Sequence, residues 1–163
     1  MEIKIREYNP KDVCETIEIW NKVVDDGMAF PQLDILNEIS GNEFFLSQTY
    51  TAVAYDTSTN QIVGLYILHP NNVGRCGHIC NCSYAVKSAI RGNHIGEMLV
   101  KHSLDMAKSL GFKIMQFNAV VKSNKIALHI YEKLGFVQLG TIPNGFLLKN
   151  GTYDDIILWY HVL

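Results

Sequence analysis

The spacing of apolar residues along the chain predicts seven β-strands. Stretches in which apolar residues alternate with polar ones, or run unbroken between turn-forming residues, are typical of strands. Such stretches cover residues 3–8, 49–55, 62–69, 78–86, 112–121, 136–142 and 156–163. The turn-rich segment 56–61 predicts a hairpin between the second and third strands, and Asn150-Gly151 predicts one between the last two.

Four other segments have the 3.6-residue apolar period of amphipathic helices. In the first of them, Val13, Ile17, Trp20 and Val24 share one face. The helix starts are predicted from Asn and Pro, and the ends from Gly, which adopts the left-handed backbone of a helix terminus readily. The predicted helices run from Pro10 to Gly27, around residues 33–39 with an end at Gly41, between Gly92 and Gly111, and from Asn124 to Leu134.

The order of these elements, β-α-α-β-β-β-α-β-α-β-β, predicts an α/β protein with a mixed sheet. Strand 78–86, the long helix after Gly92 and strand 112–121 form a βαβ unit, which crosses over with a right hand and leaves its two strands parallel. Ligands of open sheets bind beyond the carboxyl ends of such strands. We therefore expect the functional site near Val86 and Val121.

Charge and composition restrict the classes of partner. The 163 residues include 14 Lys and Arg against 16 Asp and Glu, a formal charge of −2 with no basic run, which argues against a nucleic-acid partner. No apolar stretch reaches the roughly 18 residues that cross a bilayer, and the first ten residues lack the apolar segment of a signal peptide. We expect one domain over residues 1–163, a cytoplasmic location and no membrane partner.

Four residues with metal-ligating side chains, Cys76, His78, Cys80 and Cys82, lie close together in the sequence. Alternate residues of a strand stand about 6.6 Å apart, which would separate the first from the last by roughly 20 Å. Four ligands around one zinc ion need bonds of about 2.0–2.3 Å. We therefore predict no metal site, and reduced cysteines that pack in the fold.

One segment between a predicted strand and a helix is suited to bind phosphate. In Arg91-Gly92-Asn93-His94-Ile95-Gly96, consecutive backbone N–H groups at a helix start can converge on an anion. The segment is neither a P-loop nor Gly-x-Gly-x-x-Gly. Taken alone, it is equally consistent with a tight strand-to-helix connection.

Together with its surroundings, this segment resembles the GNAT superfamily of acetyl-CoA-dependent N-acetyltransferases. The surroundings are the helix end at Leu110-Gly111-Phe112, the helix start at Asn124 and the segment from Tyr131 to Phe136. The superfamily's loop pattern is Gln/Arg-x-x-Gly-x-Gly/Ala, which Arg91 and Gly96 match. His94 stands where the pattern has Gly, and its Cβ narrows the allowed backbone dihedrals.

The resemblance implies a fold and a cofactor. The fold is a single domain with a mixed central sheet of about seven strands, splayed central parallel strands and about four helices, and a homodimer is implied with it. A bulge makes the central strands splay, and a free N–H near the end of the first, here within residues 83–86, polarises the thioester. The residues implied to bind acetyl-CoA are Tyr84, Ala85, Val86, Arg91, Gly92, Asn93, His94, Ile95, Gly96, Asn124, Ala127 and Tyr131.

A more specific resemblance concerns three asparagines. Asn81, Asn118 and Asn124, spaced 37 and 6 residues apart, are similar to the asparagine set of fungal acetyltransferases that act on azetidine-2-carboxylate and other proline analogues. The set implies that Asn81 and Asn118 line the acceptor pocket and that Asn124 lies beside CoA. Bacterial amino-acid N-acetyltransferases carry a segment like Gly-Thr-Ile-Pro-x-Gly-Phe, which occurs here at residues 140–146.

The implied function is transfer of an acetyl group from acetyl-CoA to the amine of a small molecule, an amino acid or an analogue. Asn81, Asn118 and Tyr131 are the candidate catalytic residues: two neutral amides that orient the amine, and a phenol that protonates the leaving thiolate. The structural alternative is that Asn81 and Asn118 are strand residues whose amides are hydrogen-bonded within the protein, and that the Tyr131 ring packs in the core. The alternative functions are acetylation of a protein amino terminus and a non-catalytic acyl-CoA-binding module. The apolar segment 143–152 is a candidate loop over the pocket.

Overall fold

The computed structural model describes all residues, 1–163, and has the predicted order of strands and helices. The seven strands are β1 Ile3–Glu7, β2 Tyr50–Asp56, β3 Ile62–Pro70, β4 Ile79–Val86, β5 Ile114–Val121, β6 Val137–Leu147 and β7 Tyr153–Val162. The four helices are α1 Val13–Asp26, α2 Glu38–Ser47, α3 Ile95–Ser109 and α4 Lys125–Lys133. None of the helices combines the length and the apolar character needed to cross a membrane.

All seven strands form one mixed sheet in the order β1-β2-β3-β4-β5-β7-β6. Only β4 and β5 are parallel, as the βαβ unit predicts. Helices cover both faces: α1 and α2 enclose a core with Trp20 and Phe45, and α3 and α4 enclose a larger core with Leu99 and Phe117. The predicted fold class, a mixed α/β sheet with a parallel central pair, is confirmed.

The central parallel strands pair only where they begin. Ile79 pairs with Ile114 and Cys80 with Met115, and no later residues of β4 and β5 pair with each other. The register of β4 against β3 is regular, whereas β5 has a register shift against β7 between Phe117 and Val120. The splay is therefore present, and the irregularity beside it lies in β5. A β-bulge bends its strand, which accounts for the direction of β5 away from β4.

The second helix was predicted wrongly. It begins after Asn37, whose side chain accepts from the Ser40 N–H at 2.9 Å, and it continues past Gly41 to Ser47. The predicted apolar face consists of Leu33, Leu36 and Ile39; Leu33 and Ile39 are exposed, and Leu36 alone packs against the core under α1 and α2. Gly41 does not end the helix; a Cβ at this position would collide with Ile17 of α1. The glycine is needed because the two helices approach closely.

The last hairpin also differs from the prediction. Strand β6 does not stop at Ile142 but resumes after a register shift between Ile142 and Phe146 and ends at Leu147. The shift tolerates Pro143 because a bulge requires no regular ladder hydrogen bond there. Phe146 is buried against Val121 and Ile156. Residues 143–147 of the segment 143–152 are thus part of a strand, and no residue of the segment lines the large cavity at the central strands.

Candidate active site

A cavity of about 930 Å³ lies where β4 and β5 diverge. It extends from the end of α1 past both strands to the start of α3 and one face of α4. Its volume falls within the range of small-molecule and cofactor sites. Val86 and Val121 both line it, which places it at the strand ends that the topology indicated.

The cavity collects nearly all of the candidate residues named from sequence. These are Asn81, Tyr84, Ala85, Val86, Arg91, Gly92, His94, Ile95, Gly96, Asn118, Asn124, Ala127 and Tyr131. The exception is Asn93, which is exposed and donates its side-chain amide to the Ile90 carbonyl at 2.8 Å. Asn93 therefore stabilises the turn before α3 and does not reach the cavity wall.

The alternation of β4 divides the cavity into two sides. Cys80 and Cys82 belong to the core under α3 and α4, whereas Ala85 belongs to the core under α1 and α2. Because successive strand residues point to opposite faces, Asn81 lies on the face of α1. Tyr131, on α4, approaches from the other face. The cavity thus passes through the sheet where the parallel strands have separated.

Backbone N–H groups of β4 point into this opening. Lys87 donates to Val63 and Asn71 donates to Ile79, so the odd-numbered positions of β4 hydrogen-bond to β3. The even-numbered positions consequently face β5. Tyr84 and Val86 lie beyond the last pair with β5, and their N–H groups face the gap. These donors lie where the family resemblance implies a polarising N–H.

The start of α3 presents a second set of donors. Met98 donates to the His94 carbonyl at 3.0 Å as the first helical bond, which leaves the N–H groups of Ile95, Gly96 and Glu97 without a helical acceptor. All three residues line the cavity. The helix dipole adds partial positive charge at this end. The arrangement is suited to bind an anion such as a phosphate.

His94 takes the conformation that the usual glycine of this loop adopts freely. Its φ of 58° and ψ of 13° are left-handed, and its side chain is 81% exposed. Gly92, two residues earlier, is also left-handed at φ 92°. Left-handed backbone is uncommon in other residues, although His is enriched there compared with most. The substitution of His for Gly therefore preserves the turn at a conformational cost.

Charged side chains beside the loop are held in ion pairs. Arg91 lies 3.8 Å from Asp26 at the end of α1. Glu97 accepts from Lys101 at 2.7 Å and from Lys133 at 2.8 Å, and these two hydrogen bonds lower its pKa to about 2. Glu97 is thus ionised at neutral pH and neutralises part of the charge that Lys133 brings to the cavity.

The asparagines on the α1 side form a network through a residue that sequence reasoning missed. Asn81 Nδ2 donates to Asn71 Oδ1 at 3.3 Å, and Asn118 Nδ2 donates to the same oxygen at 2.5 Å. Asn118 Oδ1 in turn accepts from Gln116 Nε2 at 3.1 Å. Asn71 lies in the turn between β3 and β4, and no sequence pattern there indicates a functional residue. The structure brings Asn81 and Asn118 into the same cavity, as their joint assignment required.

The aromatic residues on the α4 side have different environments. The Tyr131 ring packs 4.5 Å from Phe117, between centroids, and its hydroxyl has no hydrogen-bond partner in the protein. Burial raises the Tyr131 pKa well above its ordinary value. Tyr84 instead places its hydroxyl 2.7 Å from Ser103 Oγ inside the core. Tyr84 can therefore contact a ligand through its backbone N–H, whereas Tyr131 can contact one through its phenol hydroxyl.

Asn124 caps α4: its side-chain oxygen Oδ1 accepts from the Ala127 N–H at 3.3 Å, so this oxygen is engaged while the residue lines the cavity.

Cys80 and Cys82 are buried, and burial raises the pKa of Cys80 to about 12. Cys76 is exposed in a 3₁₀ turn. No three His, Cys, Asp or Glu side chains are grouped closely enough to hold a metal ion.

A separated parallel strand pair beside a free helix start is the arrangement that the resemblance to the GNAT superfamily implies. The chain belongs to the acetyltransferase (GNAT) family, which matches residues 17–136, and it is an N-acetyltransferase by class. It is 29% identical to N-acetyltransferase aca1 of Schizosaccharomyces pombe, over 94% of this chain and 82% of that protein.

Solved structures show the same fold over the full length. A GCN5-related N-acetyltransferase from Kribbella flavida matches with a TM-score of 0.91 and 25% identity, over 99% of this chain and 98% of that one. A phosphinothricin acetyltransferase from Sinorhizobium meliloti, in complex with acetyl-CoA, matches with a TM-score of 0.91 and 20% identity, over 100% of this chain and 89% of that one. The chain thus has the fold of these acetyltransferases over its full length.

Proposed function

We propose that this protein transfers the acetyl group of acetyl-CoA to the amine of a small molecule, an amino acid or an amino-acid analogue. The observation that carries the proposal is the position of Asn81 and Asn118. They come from two different strands, yet they line one cavity at the point where backbone donors of β4 and the start of α3 also converge. The similarity to a fungal N-acetyltransferase supports acetyl transfer to an amine, and the asparagine spacing supports the substrate class.

The cofactor would bind along the α3 and α4 side of the cavity. The free N–H groups of Ile95, Gly96 and Glu97 would hold its pyrophosphate, with Gly92 and His94 shaping the turn. Arg91 would add positive charge once a phosphate competes with Asp26 for it. The thioester would lie in the gap between β4 and β5, where the N–H of Tyr84 or Val86 polarises its carbonyl and stabilises the oxyanion.

The acceptor would approach from the α1 side of the sheet. Asn81 Oδ1 has no partner in the protein and would accept a hydrogen bond from the attacking amine. The segment Met28–Pro31 after α1 forms the opposite wall and would contact the acceptor side chain. The amine and the thioester would then meet from opposite faces of the sheet, which aligns them for attack.

Proton transfer in this proposal requires no strong base from the protein. Both carboxylates that line the cavity, Asp26 and Glu97, are engaged by cations. The amine would therefore lose its proton to water before attack. Tyr131 would donate a hydrogen bond to the departing thiolate. Its raised pKa keeps the phenol protonated, and full proton transfer to a thiolate is unfavourable because the pKa of a thiol, about 8.5, lies well below that of the buried phenol. The proton that the sulfur gains would come from the ammonium nitrogen of the intermediate, which stays bonded to the acetyl carbon as the amide nitrogen while the carbon–sulfur bond breaks.

The substrate class is tested by CoA release, detected with a thiol reagent, across a panel of acceptors. The panel contains azetidine-2-carboxylate, phosphinothricin, the common amino acids and a peptide with a free amino terminus. We expect turnover above hydrolysis with at least one small amino acid. Turnover with the peptide alone would favour acetylation of protein amino termini, and acetyl-CoA binding without any turnover would favour a non-catalytic module.

The role of the asparagines is tested with Asn118→Ala, compared with Asn72→Ala as a matched control. Asn72 is exposed and does not line the cavity. We expect Asn118→Ala to reduce kcat/KM for the acceptor at least about tenfold, because the hydrogen bond that Asn118 donates to Asn71 Oδ1 is lost and the amide network beside the acceptor is no longer braced. Acetyl-CoA affinity, measured by calorimetry, should stay within about twofold. Unchanged turnover would remove Asn118 from the mechanism.

A further inference from the structure

Asn71 is the feature of the site that neither the sequence patterns nor the family match assigns. It follows directly on β3, and its backbone N–H donates to the Ile79 carbonyl at 2.8 Å. This bond extends the pairing of β3 with β4 by one position. Asn71 and Asn81 are therefore diagonal neighbours on the same face of the two strands. The position of the Asn71 side chain is set by the backbone, and this position places it on the same face as Asn81, which lines the cavity.

The Asn71 side chain determines which end of each neighbouring amide is turned toward the cavity. One oxygen, Asn71 Oδ1, accepts from Nδ2 of Asn81 and from Nδ2 of Asn118. A carboxamide has a donor end and an acceptor end, and either can face a ligand unless a neighbour selects one of them. Because both donor ends are directed at Asn71, Asn81 presents its oxygen elsewhere, with no partner in the protein. The oxygen of Asn118 is occupied by Gln116.

We propose that Asn71 is a positioning residue for the acceptor: it fixes Asn81 and Asn118 so that one carboxamide oxygen, that of Asn81, is available to a primary or secondary amine. This inference rests on the proposed function. It separates the roles of the two asparagines, since Asn81 contacts the amine while Asn118 braces the network.

The decisive variants are Asn71→Leu, Asn71→Ala and Asn71→Asp. Leu has the same number and branching of side-chain heavy atoms as Asn but accepts no hydrogen bond, so Asn81 and Asn118 lose their shared acceptor. Asp retains an oxygen at the same position and can accept from both amides. All three variants leave the backbone bond from residue 71 to Ile79 intact, and a thermal melt checks that they fold. Asn72→Leu serves as the matched control, because its side chain lies outside the network.

Steady-state kinetics then separate positioning from a structural role. We expect Asn71→Leu and Asn71→Ala to lower kcat/KM for the acceptor at least about tenfold, as for the loss of a bound hydrogen-bond network. KM for acetyl-CoA should change less than about twofold, since Asn71 does not touch the α3 side. Asn71→Asp should recover activity to within about threefold of the unmodified protein. Full activity in Asn71→Leu, or no recovery in Asn71→Asp, overturns the proposal.

Side-chain amide NMR gives a readout that does not depend on turnover. The Nδ2 resonances of Asn81 and Asn118, assigned with Asn81→Asp and Asn118→Asp, should both shift in Asn71→Leu and return toward their original positions in Asn71→Asp. Unchanged resonances in Asn71→Leu overturn the inference even if the enzyme is active. If the unmodified protein acetylates none of the small amines while the resonances shift as expected, the proposed function fails and the catalytic part of the Asn71 proposal fails with it.

Discussion

The loop at the start of α3 offers a direct test of how the backbone prepares the cofactor site. His94 is left-handed, its side chain is 81% exposed, and its nearest charged partner is Glu97 at 3.8 Å. Few contacts are therefore lost when the side chain changes, and the backbone conformation dominates the outcome. The informative pair of variants is His94→Gly, which adopts this conformation freely, and His94→Val, whose branched Cβ strongly disfavours it.

The magnitudes follow from the conformational preferences. A left-handed conformation costs an ordinary residue roughly 1–2 kcal/mol, and Val should cost about 1 kcal/mol more than His, which tolerates the region better. For a chain of this size, about 1 kcal/mol lowers the melting temperature by about 2–4 °C. In His94→Gly the relief of about 1 kcal/mol is offset by the entropy that Gly loses on folding, roughly 0.5–1 kcal/mol, so its stability should be close to that of the unmodified protein.

The assay combines thermal melting with calorimetric binding of acetyl-CoA. Because N–H groups, and not the imidazole, are expected to hold the pyrophosphate, His94→Gly should bind acetyl-CoA within about threefold of the unmodified protein, and His94→Val at least about tenfold more weakly. His78→Val is the control, since His78 is also exposed but is not left-handed and lies outside the cavity. Equal melting temperatures and affinities for His94→Val and His78→Val would refute this reasoning.

Two further predictions concern groups with shifted pKa values. Tyr131→Phe should lower kcat about tenfold with a stability change below about 1 kcal/mol, because the ring keeps its contact with Phe117 and the hydroxyl has no partner in the protein to lose. Since burial raises the Tyr131 pKa, the rate of the unmodified enzyme should show no loss near pH 10. Equal kcat values for Tyr131→Phe and the unmodified enzyme would contradict the role of Tyr131 at the thiolate. The lowered pKa of Glu97, from 4.5 to about 2, should contribute stability that is fully present above pH 4.5 and is lost as the pH falls toward 2. The stability difference between the unmodified protein and Glu97→Gln, from denaturant titrations, should therefore shrink across that interval, and a difference independent of pH would contradict the role of the ion pairs.

Periodicity and turn residues in the sequence were sufficient for the element order and the sheet type. Strand alternation and the βαβ unit depend on local pattern and chain handedness, so the parallel pair of β4 and β5 could be predicted without contacts. The same reasoning failed at Gly41. A glycine that permits close helix packing and a glycine that ends a helix look identical in one sequence, and only the position of Ile17 distinguishes them.

The site was predicted in part, for a related reason. Arg91 to Gly96 form a contiguous segment, so their shared role as a helix start was visible from sequence, and the structure adds that His94 adopts the glycine-like conformation. Asn81 and Asn118 could be paired only through family resemblance. Asn71 carried no signal at all, because it lies in a turn where Asn is common for local reasons.

The sequence by itself determined which segments form strands, which segment forms the helix start with free backbone donors, and which residue types are available for chemistry. These features depend on neighbours along the chain. Only the tertiary structure decided that β4 and β5 separate after their second pair, which opens a passage through the sheet. It also decided that amides from a turn and two strands share one oxygen. The physical reason is the same in both cases: strand separation and side-chain orientation depend on contacts between residues far apart in sequence, and a local pattern does not specify such contacts.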